Sequence, residues 1–159
     1  MSTSDTWFVD TSVLLAAMVG SSPSAKAWFD AGFARGDTFL GSRLLEVETK
    51  RFILNKELAG ELSPGQVVPE RYLDRFGLLV VDDDLLREAI AIRHPLRRAD
   101  AIHVAAALRV GPDEVTVVTH DAQMVRACHA LGFEVYDPVM TPGTADPEDS
   151  HDVEVDVRG

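Results

Sequence analysis

VTVVTHDAQMVRACHALGFEVY, from Val115 to Tyr136, decides the fold. Val115–Thr119 is a β-branched apolar run of the kind that forms a buried strand. Asp121 opens a helix to Leu131, Gly132 closes it, and Phe133–Tyr136 is a second strand. A strand, a crossover helix and a strand imply parallel pairing.

The same alternation extends back to the N-terminus. Asp100 opens an Ala-rich helix ending near Gly111, and Leu85–Arg93 is a helix broken by His94-Pro95. Leu78–Val81 is a strand. Ser63-Pro64 starts a helix expected to reach about Arg75, with Pro69 inside it. Ser42 is expected to cap a long helix to Leu58, following a strand at Thr38–Gly41. Ser22-Pro23 starts a helix stopped by Gly36. The Trp7–Asp10 strand runs almost directly into the Thr11–Val19 helix. The expected architecture is a three-layer α/β/α sandwich around a mostly parallel five-stranded sheet.

At 159 residues the chain fits one domain with a single core, expected over residues 1–137. Residues 138–159 turn polar, with Pro138, Pro142, Gly143 and Pro147, and read as a flexible acidic tail. The one cysteine, Cys128, permits no internal disulfide. The N-terminus has no signal-peptide pattern, and no run approaches the roughly 20 apolar residues that span a bilayer. A cytoplasmic protein without a membrane partner is expected. The net charge of −11 argues against a general nucleic-acid binder. However, seven of the 26 acids lie from Asp137 onward, with one base of 15, so the remaining chain holds 19 acids and 14 bases.

Four acids stand at element ends beside apolar stretches, where a carboxylate is costly unless paired: Asp10, Glu48, Asp100 and Asp121. If the fold gathers them, one or two divalent cations would relieve their repulsion. Asp10, Asp100 and Asp121 could each be no more than a helix N-cap. In an α/β sheet, however, ligands bind beyond the C-terminal strand ends, where Asp10 and Asp121 fall. Glu48 shares a helix face with Leu44 and Phe52, whereas Glu46 pairs with Lys50 on the solvent side. His103, at i+3 from Asp100, reads as a ligand, a supporting donor or, more commonly for such a residue, a structural histidine, and stays outside the catalytic set. Asp82–Asp84 read as a solvated turn and cap. Arg93, His94, Arg97 and Arg98 form a basic cluster that either complements a helix C-terminus or holds phosphates.

FVDTSVLLA, SRLLEVETKR, RRADAIHVAAAL and VTVVTHDAQMVRACHALGFEV, in that order, resemble the four motifs of the PIN-domain family, and within it the VapC-type toxins of toxin–antitoxin pairs. The resemblance runs from Phe8 to about Asp137 and maps the family's acids onto Asp10, Glu48, Asp100 and Asp121. It implies an Mg²⁺- or Mn²⁺-dependent endoribonuclease that leaves a 5′-phosphate and a 3′-hydroxyl. Asp10 and Asp100 are the first-choice metal ligands, and Glu48 and Asp121 complete the shell or act through water. Carboxylates select hard cations, and no zinc-type Cys/His spacing competes. The resemblance further implies a cognate VapB-type antitoxin, an RNA substrate and a homodimer.

Rival readings are weaker. A phosphoreceiver needs a lysine near the last strand, and none follows Lys56. A haloacid-dehalogenase phosphatase needs DxD, and here Ser12 holds the second position. The remaining alternatives are a PIN scaffold that binds RNA or a partner without cutting, and a nuclease acting on DNA or structured RNA.

Overall fold

The computed structural model describes residues 4–139. The expected tail therefore lies, apart from Pro138 and Val139, outside the described residues. Five strands, β1 (Thr6–Val9), β2 (Thr38–Ser42), β3 (Phe76–Leu79), β4 (Thr116–Val118) and β5 (Glu134–Tyr136), form one sheet in the order β3-β2-β1-β4-β5. All neighbouring pairs are parallel. The helices are α1 (Thr11–Met18), α2 (Pro23–Arg35), α3 (Arg43–Leu58), α4 (Glu70–Leu73), α5 (Asp83–Ala91), α6 (Arg98–Val110) and α7 (Ala122–Ala130).

Period-two alternation in the strands builds a core on each face of the sheet. Phe8 and Val117 pack with Leu85, Val104, Met124 and Cys128 from α5, α6 and α7. Val9, Val118 and Phe39 face the other way, onto Leu14, Phe29 and Leu73 from α1, α2 and α4. The second core is aromatic: Phe29 lies 4.8 Å from Trp28 and 5.5 Å from Phe39, ring centre to ring centre. Such contacts add about 0.5–1.5 kcal/mol each beyond area burial.

Local signals set most helix ends. Ser22 Oγ accepts from Ala25 N–H, Pro23 takes the first helical position, and Gly36 leaves α2 at φ 79°. Asp82 caps α5 by accepting from Leu85 N–H at 2.8 Å. Three expectations are corrected. The helix expected over residues 63–75 is mostly turns, and only Glu70–Leu73 is helical, because Pro69 stands at its N-cap. The third strand is Phe76–Leu79 rather than Leu78–Val81, and Val80 is 66% exposed. Gly77 brings that strand against β2, since a Cβ there would lie 2.9 Å from Leu40 Cδ2. Ser42 occupies the N-cap position of α3 but makes no side-chain cap.

The strand order positions the site. The chain leaves central β1 toward β2 and β3, then crosses back to lay β4 on the other flank of β1. The C-terminal ends of β1 and β4 therefore border the point where the order reverses, the position at which such sheets bind ligands.

Candidate functional site

Asp10 follows the last residue of β1 and Asp121 lies three residues past β4. Asp10 N–H donates to Val118 O at 2.9 Å, which ties the two strand ends together. Asp10 is 4% exposed and occupies the N-cap position of α1, yet its side chain caps nothing. Its Oδ2 instead accepts from Ser12 Oγ at 2.7 Å and from Thr119 Oγ1 at 3.0 Å. The Thr119 hydroxyl also accepts from Asp121 N–H at 3.1 Å, so one buried threonine fastens both acid-bearing turns. Asp121 does cap: its Oδ1 accepts from Met124 N–H at 2.8 Å. Its Oδ2 faces Arg97 Nη2 at the longer distance of 3.7 Å.

Glu48 enters from α3. Its Oε1 accepts from Thr11 Oγ1 at 2.9 Å and from His103 Nε2 at 2.6 Å. A carboxylate only accepts, so the Nε2 hydrogen of His103 points at Glu48. The other ring nitrogen lies 2.9 Å from Ser42 Oγ, the hydroxyl that failed to cap α3. His103 is 1% exposed and fixed from both sides. Burial pushes the Glu48 carboxyl up, but the hydrogen bond and charge of His103, with the Thr11 hydroxyl, outweigh it and hold the group below the usual carboxylate range. Glu46 lies outward, bonded to Arg43 at 2.8 Å and Lys50 at 3.1 Å. The buried stripe of α3 is Leu45, Thr49 and Ile53, so Glu48 lies at its edge rather than within it.

Asp100 is the outlier. It lies in the first turn of α6, whose N-cap is Arg97, so it is no cap itself. Its Oδ2 is buried and has no hydrogen-bond partner. Burial, followed by the Asp10 and Asp121 charges, pushes its pKa up to about 6. Burial, followed by the Asp10 and Asp100 charges, pushes the Cys128 thiol up to about 12, which disfavours the thiolate.

The fold thus brings Asp10, Asp100 and Asp121 into one electrostatic field, and Glu48 joins through Thr11 and His103. Among the described residues no three His, Cys, Asp or Glu side chains already converge as a metal cage. The pattern of committed oxygens is informative nonetheless. Asp10, Glu48 and Asp121 each give one oxygen to protein donors, and the other carries no hydrogen bond among the described residues. Sequence reasoning marked His103, by its i+3 spacing from Asp100, as a candidate supporting donor, and missed the linkers Thr119 and Ser42.

A parallel sheet with acids at its switch point defines an α/β protein whose candidate site is built from carboxylates. The PIN domain model matches residues 7–130, and the chain belongs to the PIN domain family. It is similar to Ribonuclease VapC47 of Mycobacterium tuberculosis (strain CDC 1551 / Oshkosh), at 29% identity over 135 residues, covering 82% of this chain and 96% of that protein. Its fold is that of a chain in the crystal structure of VapBC2 from Rickettsia felis bound to a DNA fragment from their promoter. That match has a TM-score of 0.58 at 12% identity and covers 83% of this chain and 98% of the other.

Proposed function

We propose that this chain is a divalent-metal-dependent endoribonuclease of the VapC type, the toxin of a toxin–antitoxin pair, restrained by a cognate VapB-type antitoxin. The observation that carries the reading is Asp100: a buried carboxylate oxygen without a donor, in the field of Asp10 and Asp121. A cation is the economical partner for such an oxygen, and an all-oxygen donor set suits Mg²⁺ or Mn²⁺. Membership of the PIN family and similarity to a named ribonuclease support the same chemistry.

Asp10 and Asp100 would hold the ion directly, with Glu48 and Asp121 completing the shell. When bound, the ion lowers the pKa of a water and offsets charge on the phosphate oxygens of RNA. The chain's own contribution is preorganisation. Ser12 and Thr119 hold one oxygen of Asp10 and leave the other without a hydrogen bond among the described residues. His103 and Thr11 fix Glu48 and keep it ionised, so no proton must leave before it serves as a ligand or accepts from water. Asp121 is held at the helix terminus by its cap to Met124.

The test is to incubate the purified protein with total RNA and Mg²⁺ beside Asp10→Asn and map the ends. Defined cuts made only by the unaltered protein support the reading. Identical patterns remove the nuclease and leave a binding scaffold.

A further inference from the structure

Close in sequence to Asp100 and Asp121 lies unpaired positive charge. Lys26, Lys50, Lys56, Arg43, Arg87 and Arg109 are each paired with acids. Arg93, Arg98 and Arg126 are exposed and have no acid, hydrogen-bond or ring partner among the described residues. Arg98 is two residues before Asp100, and Arg126 is five after Asp121.

Helix stabilisation explains only part of the cluster. Arg93 follows Ile92, the C-cap of α5, where a cation is favourable, but Arg97 and Arg98 occupy the N-cap and first position of α6. That is the positive end of a helix, where a cation is unfavourable and an anion is attracted. Between the 93–97 segment and α7 opens a cavity of about 300 Å³ lined by His94, Pro95, Gln123, Arg126 and Ala127. Pro95 and Ala127 make its walls apolar, while Gln123, His94 and Arg126 provide polar groups. Arg97, 77% exposed and 3.7 Å from Asp121, joins this corner to the acids.

We propose that this corner seats the RNA strand next to the cut: Arg93, Arg98 and Arg126 hold backbone phosphates, and the cavity takes one unstacked base, with Gln123 at its edge. The inference rests on the nuclease reading and names the surface that brings a polyanion to a chain of net charge −11. A splayed base on an apolar wall with cations on the flanking phosphates is how single strands are held without a duplex groove.

The test is fluorescence anisotropy with a labelled 12-nucleotide single-stranded RNA in EDTA, where no cutting occurs, over a range of salt. The variant is Arg93→Gln/Arg98→Gln/Arg126→Gln. The control, Arg51→Gln/Arg71→Gln/Arg87→Gln, makes the same change in net charge at exposed sites elsewhere. The corner variant should bind about tenfold more weakly or worse and lose about two units of log–log salt slope, since each phosphate contact on a single strand contributes roughly 0.7. The control should change neither. Equal losses in the two variants, or none in either, overturn the proposal. Hexaglutamate binding as tightly with the same arginine dependence also overturns it, making the corner a seat for acidic peptide. If the unaltered protein binds RNA through the corner but cuts none with Mg²⁺, the nuclease reading falls and the corner stands.

Discussion

Asp37 and Asp100 are both removed from water, at opposite ends of the sheet, and the protein treats them in opposite ways. The side chain of Asp37, just before β2, is fully buried. It accepts from Trp7 Nε1 at 2.9 Å, Arg35 Nη2 at 2.7 Å and Asp5 N–H at 3.2 Å. Burial pushes its pKa up, but these donors and the Arg35 charge prevail and hold it below the usual range. Asp100 receives no donor on its buried oxygen and two like charges as neighbours. Burial alone therefore does not single out a candidate. What sets Asp100 apart is a buried carboxylate oxygen left uncompensated, where Asp37 has its donors.

The strongest way to break this comparison is at the acids themselves. Asp10→Asn and Asp100→Asn should each cut RNA cleavage by at least about 10²-fold, the scale of losing one preorganised electrostatic contact. Mg²⁺ should raise the melting temperature of the unaltered protein and not of Asp10→Asn. An equal rise in both would count against the site. Next, His103→Asn should weaken Mn²⁺ binding about 10–100-fold, as outer-shell losses do. His103→Gln, which can still present an amide donor to Glu48, should recover much of it. A merely structural histidine would lower stability in both variants and leave metal affinity alone.

Asp37→Ala should do the reverse. It should cost about 2 kcal/mol of stability by removing a charged acceptor, read from urea unfolding, with the increment from Mg²⁺ unchanged. The pH dependence separates the two acids further. Asp100 binds its proton more tightly folded than unfolded. Its favourable contribution is present at low pH and is lost as pH rises from the ordinary carboxylate value through about 6. Asp37 has a lowered pKa, so its contribution is present above the ordinary value and lost on acidification. Metal-free Asp100→Asn should accordingly gain stability relative to the unaltered protein between pH 4 and 7, by chemical denaturation. Glu46→Gln, a solvent-face change, should stay within about 0.5 kcal/mol and leave cleavage intact.

Much of this was legible in the sequence because it is local. Apolar runs bounded by Gly, Pro, Ser and Asp located every strand to within a few residues, and the alternation dictated a parallel sheet. The 63–75 segment misled because a Ser-Pro start resembles a helix that Pro69 then prevents. The strand before Asp82 was shifted because its register depends on Gly77 meeting Leu40, a contact between distant strands. The four acids were named from their positions, and neighbours such as Ser12 and His103 could be read as supports, but the partners themselves could not. His103 meets Glu48 55 residues away and Ser42 61 away, and Thr119 meets Asp10 across 109. Such partners are properties of the finished tertiary structure. Asp37, equally acidic and equally close to a strand, shows that position without donors would have over-selected.

The strand order has a consequence for when the four acids can meet. Asp10 emerges early in synthesis, but its neighbour Thr119 and the last acid, Asp121, arrive only with β4, which must pair alongside a strand made more than a hundred residues before. Non-local pairing of this kind comes late and slowly in folding. The nascent chain therefore carries these acids apart, and on the nuclease reading no cleavage can begin until synthesis has passed Asp121. The topology would then act as a delay between making the polypeptide and completing its site.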